Sequence, residues 1–307
     1  MAKLDRRTIE RACGAAATLQ RTARVVLAWA LMQLIVAAAP AAAAGAEPPA
    51  SDTATAINKQ VTNPVSLTWS LKWENEILSL QRDDAANRGQ YEMKFQPTMP
   101  LLLTPAWKLI VRPEFVLLSD KPFTRDGRSL RVTGTGDTTL DVVVAPVSDP
   151  WLLGVGSTFI FPTASNDETG QGNWQAGPGG VAGYLGKEWL LGVIAQQWWS
   201  FAGSASRKAD SGLHLQYLAS WFLPHGWSIG TSPTIKFDWR AAAGQQVTFP
   251  LGLFVARVVE LGGLPVKLEV QGLYAPVRPE SYGEQFGVQI YLTPVIPAPV
   301  EGSLFGG

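Results

Sequence analysis

Residues 151–186 carry a pattern that few folds can accommodate. Two arms, residues 151–161 and 174–184, each have about the ten residues that a tilted strand needs to cross a bilayer. Aromatic and aliphatic residues occupy one parity of each arm, and small residues, mainly glycine, occupy much of the other. The segment therefore predicts a β-hairpin with one apolar face and aromatic residues at its ends. Because a soluble sandwich can also use such a hairpin, repetition of the pattern decides between the two fold classes.

The same alternation recurs along the chain between Pro64 and Pro294. In the first strand Leu71 and Trp73 alternate with Lys72 and Glu74, and eleven further segments follow with similar spacing. Twelve is an even number, as bacterial single-chain barrels require. The sequence predicts an all-β fold, a transmembrane antiparallel up-and-down β-barrel of about twelve strands, within residues 64–294.

The connections between these strands alternate in length. The longer, polar ones include residues 80–89, 120–136, 164–173, 202–212 and 276–283, and the tight ones include residues 147–150, 186–188, 224–226 and 261–265. Residues 97–105 form a longer apolar link that fits the series poorly. Outer-membrane barrels have long extracellular loops and short periplasmic turns, with both termini inside, so the order predicts that topology.

Tryptophan placement is an independent test of the membrane interpretation. The chain has twelve tryptophans, and the predicted topology puts most of them at strand ends, where an amphipathic ring lies at the headgroup level. The predicted periplasmic girdle contains Trp107, Trp151, Trp189, Trp221 and Trp227. The predicted extracellular girdle contains Trp73, Trp174, Trp198, Trp199 and Trp239. A soluble core gives tryptophan no reason to gather at strand ends.

The regions outside the barrel have their own patterns. Residues 1–46 combine a basic beginning, an apolar run over residues 25–39 and a small-residue site at Ala44–Ala46, which predicts a cleaved signal peptide, with an uncleaved anchor as the alternative. The only cysteine, Cys13, lies in this segment. We expect residues 47–63 to be a disordered lead and residues 295–307 to form a tail beyond the last strand.

Composition limits the chemistry of the protein. Charged residues make up 16% of the chain and its net charge is zero, which argues against a nucleic-acid partner. The two histidines, His214 and His225, fall on opposite membrane sides in the predicted topology, so they cannot share a catalytic or metal site. We therefore expect no enzyme, no catalytic residue, no metal and no cofactor. The expected partners are outer-membrane lipid, a small-molecule solute and the barrel-assembly machinery, and the oligomeric state stays open.

Placing the aromatic parity outward directs the polar parity into the lumen. The candidate lumen residues are Lys72, Glu92, Lys94, Arg112, Glu114, Asp141, Lys236 and Glu269. Both signs occur on adjacent strands, so cross-strand pairs such as Lys72 with Glu92 are expected. These charges either form a constriction that selects solutes or pair across a narrow lumen and hold the barrel rigid.

Prolines within the strands mark positions where the sheet loses a backbone donor. Pro162, Pro178, Pro233 and Pro250 are such positions. The interruption is either a bulge near a strand end or a lateral exit from the lumen to the membrane.

Three stretches also resemble a known family. They are LGVGSTFIFPTASNDETGQGNWQAGPGG, SWFLPHGWSIGTSPTIKFDW and FPLGLFVARVVELGGLPVKLEVQGLY, and they are similar to the outer-membrane family named after the meta-pathway of phenol degradation, whose members are often mislabelled neuromedin U. The resemblance covers roughly Pro64 to Pro294, and the PTA…TG.G.W..GP segment is its most specific part. It implies a β-barrel and a transporter, with hydrophobic or aromatic compounds as solutes. Such barrels usually end near an aromatic C-terminus, whereas this chain continues for residues 295–307.

Together these patterns predict a channel in the outer membrane of a Gram-negative bacterium that passes small, hydrophobic or aromatic solutes by passive diffusion. The alternative is a closed structural or adhesive barrel whose extracellular loops, chiefly residues 120–136, contact partners.

Overall fold

A computed structural model of the protein describes residues 51–81, 87–203, 207–300 and 302–305. The predicted signal peptide, residues 1–46, lies outside the described residues. The elements are α1 (Ser51–Thr62), β1 (Ser70–Leu80), β2 (Arg88–Thr104), β3 (Trp107–Arg125), β4 (Arg128–Gly134), β5 (Thr138–Pro146), β6 (Trp151–Phe161), β7 (Asn173–Leu185), β8 (Trp189–Gly203), β9 (Ser211–Phe222), β10 (Trp227–Thr231), β11 (Thr234–Asp238), β12 (Val247–Leu261), β13 (Leu264–Val277) and β14 (Glu284–Pro294).

The strands close into an antiparallel barrel. Each strand of the wall pairs with its neighbours in the chain, and β1 pairs with β14 to complete the circle, for example through Trp73 opposite Leu292. β4 pairs with β3 and extends that strand into a hairpin, while β10 and β11 are two halves of one wall strand. The wall therefore has twelve strands, and the predicted fold class is confirmed.

The alternation read from the sequence sets which side of the wall each residue faces. Outward-facing apolar side chains are unusually exposed, with Val155 at 72% and Leu253 at 68%. Their neighbours Leu152 and Phe254, on the other parity, are buried in the interior. An exposed apolar belt of this kind is the surface that a barrel presents to lipid.

Aromatic residues lie at both ends of this belt. Seven of the predicted girdle tryptophans are at least 39% exposed on the outer surface. They are Trp107, Trp151, Trp174, Trp199, Trp221, Trp227 and Trp239. Two further girdle residues, Trp73 and Trp189, are half-buried because they stack on Phe95 and Tyr184. The prediction for Trp198 was wrong: it is 4% exposed and faces the lumen, where its indole N–H donates to Thr158 Oγ1 at 3.0 Å.

Two of the predicted loops are regular strand. Residues 97–104 continue β2, and only residues 105 and 106 separate it from β3, so the poorly fitting link is a tight turn. Most of residues 120–136 form the outer half of the β3–β4 hairpin, which turns at Asp126 and Gly127. The two residues that flank this turn, Arg125 and Arg128, lie opposite each other and belong to the ladder. With this correction, each connection between strands at the predicted periplasmic end is a short turn.

The predicted disordered lead contains a helix, which corrects that expectation. Helix α1 spans Ser51–Thr62 and belongs to the same compact unit as the barrel. Ala54 and Asn58 lie one turn apart on one face, and both are buried. This face contacts the turn Pro224–Gly226 at the short-turn end of the barrel. Among the described residues, no helix is both long enough and apolar enough to span a membrane.

The tail stays at the same end of the barrel. The N–H of Ile296 donates to the carbonyl of Trp69 at 3.0 Å. The N–H groups of Leu304 and Phe305 donate to the carbonyls of Leu102 and Leu103 at 2.9 and 2.8 Å. The described part of the tail therefore lies along the rim at the end of β2.

Candidate functional site: the barrel lumen

Four features follow one another along the axis of the barrel: helix α1, a chamber, a charged cluster and a second cavity. Helix α1 lies across the short-turn end, which is the periplasmic end in barrels of this type. Above it is a chamber of about 160 Å³, and a cluster of charged side chains follows. A second cavity of about 820 Å³ opens at the long-loop end.

Helix α1 is held in place by polar contacts with the turn between β9 and β10. Asn58 is 0% exposed, and its Nδ2 donates to the carbonyl of Gly226 at 2.9 Å and to Ser228 Oγ at 3.0 Å. Thr55 Oγ1 donates to the carbonyl of Leu223 at 3.1 Å. Val65, which follows the helix, is packed in the apolar cluster of the lower barrel. These contacts fix helix α1 and the segment after it at the periplasmic end of the barrel.

Lys94 is the centre of the charged cluster. Its Nζ lies 3.0 Å from Glu76 Oε2, 3.3 Å from Glu74 Oε1 and 3.7 Å from Glu92 Oε2. The register of the sheet explains this arrangement, because Lys94 lies directly opposite Glu74 on β1 and Glu76 is two residues further along the same face. One ammonium group therefore balances several largely buried carboxylates.

The pairing of Lys72 differs from the prediction. Its Nζ is 3.6 Å from Glu74 Oε2 on the same strand, whereas Glu92 pairs with Lys94. Lys72 also lies 5.5 Å from the ring centroid of Tyr291. Sequence reasoning missed Glu76 because it ended the first strand at Glu74, although the alternation continues through Leu80.

The other predicted lumen residues lie around this cluster. Glu114 accepts a hydrogen bond from Gln96 Nε2 at 2.9 Å. Asp141 Oδ1 accepts from Thr158 Oγ1 and from Gln196 Nε2, both at 2.7 Å. These contacts satisfy acidic groups with neutral donors rather than with cations.

Further round the wall, Lys236 forms its ion pair with a residue that the sequence did not suggest. Its Nζ lies 2.6 Å from Glu284 Oε1 on β14, beyond β12 and β13. His214 lies opposite Lys236 in the ladder and packs edge-on against Trp198, with 4.8 Å between the ring centroids. Among the described residues, no group of three or more histidine, cysteine or acidic side chains is arranged to hold a metal ion.

Arg112 and Glu269 line the chamber below the cluster. Arg112 Nη2 donates to the carbonyl of Pro64 at 2.7 Å, just after helix α1. Glu269 Oε2 is 2.9 Å from Lys267 Nζ, which also donates to Thr62 Oγ1 at 2.9 Å. The chamber is thus connected to the helix on two sides.

The wall of the barrel is interrupted beside this chamber. Pairing between β10 and β12 ends at Gly230 opposite Phe254 and resumes between β11 and β12 at Lys236 opposite Thr248. Pro233 and Pro250 lie within this interval and lack the N–H that a ladder bond requires. The interruption lies in the middle of the ninth wall strand rather than near its end.

Side chains replace the missing ladder bonds. Gln271 Oε1 accepts from the N–H of Ser232 at 3.1 Å, and Gln216 Nε2 donates to the Ser232 carbonyl at 2.9 Å. Tyr217 donates its hydroxyl to the Pro250 carbonyl at 2.8 Å. Gln271 Nε2 in turn donates to Gln289 Oε1 at 2.7 Å. Hydrogen bonds from glutamine and tyrosine side chains therefore connect the strands at the interruption.

The cavity at the long-loop end is bordered by ion pairs between loops. Arg125 at the tip of β3 pairs with Glu168. Arg207 Nη2 lies 3.0 Å from Asp167 Oδ1. Both pairs connect the loop after β6 to neighbouring loops.

The comparisons with known proteins concern the fold. Neither protein-family profiles nor curated protein sequences give a match. The COG4313 outer membrane channel from Pseudomonas putida F1 superimposes with a TM-score of 0.59 at 12% identity, covering 76% of this chain and 98% of that one. The fold is that of an outer-membrane β-barrel.

Two other structures match less well. The β domain of the Bordetella autotransporter BrkA has a TM-score of 0.40 at 12% identity, covering 75% of this chain and 100% of that one. Salmonella typhi OmpF in complex with daunomycin has a TM-score of 0.36 at 9% identity, covering 74% and 97%. These two carry no argument about this chain. The exposed apolar belt, the aromatic girdles and the barrel fold assign the protein to the outer membrane of a Gram-negative bacterium.

Proposed function

We propose that the protein is an outer-membrane channel that passes small solutes, including hydrophobic or aromatic ones, by passive diffusion. The observation that carries this proposal is the pair of cavities at opposite ends of one lumen, separated by charged and polar side chains. A purely structural barrel of modest width is expected to fill its interior with packed side chains. Here the layer between the cavities is polar and built around one ammonium group, Lys94.

Helix α1 gives this channel a closed state. Its seat consists of hydrogen bonds from Asn58 and Thr55, of contacts of Lys59 and Thr62 with the Lys187 carbonyl and Lys267, and of the packing of Val65. During segment motions, hydrogen bonds of this kind are replaced by hydrogen bonds to water. We therefore propose that release of the helix opens the periplasmic mouth.

Two similarities support transport as the function. The neighbour with the same fold is itself described as an outer membrane channel. The resemblance to the phenol meta-pathway family points to hydrophobic or aromatic solutes, and membership of that family is part of this proposal.

A closed structural or adhesive barrel is the second candidate, and two observations favour it. The charges of the cluster are paired, which would stabilise a sealed barrel. The β3–β4 hairpin extends beyond the wall, with Leu130 43% exposed on it, and could contact a partner.

Planar-bilayer recording of the refolded protein separates the two candidates. We expect discrete conductance steps, and we expect Glu92→Gln to shift ion selectivity because Glu92 lies in the lumen layer and remains 19% exposed. The matched control is Glu280→Gln, which removes a carboxylate from an exposed loop. A folded, heat-modifiable barrel that stays silent would overturn the channel proposal and favour the closed barrel.

A further inference from the structure

The chamber above helix α1 has two chemically different walls. Its polar wall includes Lys72 and Arg112, which come from β1 and β3. Its other side includes the apolar side chains of Ile194 and Leu218, from β8 and β9, next to polar residues such as Gln216 and Ser220. A cavity of this kind is suited to a solute with one charged end and one apolar end.

The charged groups that line the chamber are unequal in sign. They are Lys72, Arg112, Lys267 and Glu269. Glu269 is paired with Lys267 at 2.9 Å and Lys72 with Glu74 at 3.6 Å, which leaves Arg112 as the lining charge without an ion pair among the described residues. The lining of the chamber therefore contains one cation, Arg112, that is available to an anion.

Arg112 has unused donors. Its only hydrogen bond among the described residues is to the Pro64 carbonyl, and no described carboxylate forms an ion pair with it. A guanidinium carries five N–H donors in a planar fork that matches a carboxylate. Lys72 is held by a long contact of 3.6 Å with Glu74, whose charge Lys94 also balances at 3.3 Å. Arg112 is thus available to a bound anion, and Lys72 adds a second contact when its long contact with Glu74 is exchanged for the anion.

The size of the chamber limits the apolar body of the solute. A cavity of about 150 Å³ holds benzene in another protein. The chamber here has a volume of about 160 Å³, which is room for one ring or a short alkyl chain.

We propose that this chamber is a binding site for a small organic monocarboxylate, with the carboxylate on Arg112 and Lys72 and the apolar body against Ile194 and Leu218. The inference rests on the proposed channel function and names the class of solute that the channel selects.

Benzoate and its neutral analogue benzamide are suitable probes. Isothermal titration into the detergent-solubilised full-length protein should show benzoate binding at least tenfold more tightly than benzamide. Lys72→Met should weaken benzoate binding tenfold or more without touching helix α1, because among the described residues the Lys72 ammonium interacts with Glu74 and the Tyr291 ring. Arg112→Gln should weaken it further. The matched control is Arg128→Gln, which removes an exposed cation from the β3–β4 hairpin and should leave binding unchanged.

Equal binding of the two probes, no benzoate binding to the native protein, or full benzoate affinity in folded Lys72→Met would each overturn the site. Bilayer conductance of the same preparations keeps the two proposals apart. Selective benzoate binding by a silent barrel supports the site and contradicts the channel. Conductance without any preference for benzoate supports the channel and contradicts the site.

Discussion

Replacing Asn58 with alanine should release helix α1 from the periplasmic mouth. In the structure its Nδ2 donates to the Gly226 carbonyl at 2.9 Å and to Ser228 Oγ at 3.0 Å, and the residue is 0% exposed. A net hydrogen bond is worth about 1 kcal/mol, and a buried acceptor left without a donor costs about 1–3 kcal/mol. The seated state should therefore lose about 2–3 kcal/mol relative to the released state.

This loss has a measurable size. Because about 1.4 kcal/mol corresponds to a tenfold change in an equilibrium constant, the ratio of open to closed time should rise about 30- to 150-fold in single-channel records. Trypsin should also cut after Lys59 more readily, since the docked helix holds that side chain against the Lys187 carbonyl and the Phe222 ring. Thr53→Ala, at an exposed position of the same helix, is the control and should behave as the native protein. Unchanged open times and unchanged cleavage in folded Asn58→Ala would refute the proposed role of the helix.

Three further predictions concern the lumen and the wall. Lys94→Met should lower stability towards urea by about 3–5 kcal/mol, because it leaves its buried acidic partners without a counter-charge; Lys94→Arg should lose much less, and equal midpoints for Lys94→Met and the native barrel would contradict this. In vesicles of brominated lipid, Trp198→Phe should remove emission that resists quenching, whereas Trp199→Phe should remove quenched emission, since the two are 4% and 51% exposed; the reverse result would place Trp198 in lipid. Tyr217→Phe should lower stability by about 1 kcal/mol, because the Pro250 carbonyl loses its donor. An unchanged urea midpoint would show that this hydrogen bond does not stabilise the interrupted wall.

The barrel could be predicted from sequence because its signals are local. A period of two in side-chain polarity assigns each strand and both of its faces without knowledge of the partners. It gave the inward positions of Lys94 and Arg112 and the outward positions of Val155 and Trp151. β8 was ambiguous because both of its parities are apolar, and only its pairing with β7 and β9 shows that Trp198 faces inward.

The contents of the lumen were less predictable because they depend on distant partners. Residues 51–62 have no strong amphipathic pattern, and the helix is stabilised by contacts of Asn58 with residues 168 and 170 positions later. The pairing of Lys236 with Glu284 crosses the lumen face of two intervening strands and cannot be read from neighbouring segments. The position of Arg112 was predicted, but its freedom from carboxylates depends on where Asp141 and Glu114 find other donors.

The long separation between helix α1 and its seat also sets an order of events during biogenesis. The Gly226 carbonyl and Ser228 hydroxyl that receive Asn58 lie at the turn between β9 and β10 and at the start of β10. Contacts of such high sequence separation form late, because the chain between them must first be ordered. The N-terminal helix, although it is synthesised long before its seat, therefore docks only after the turn between β9 and β10 has formed, and the periplasmic end of the barrel lacks the helix until then.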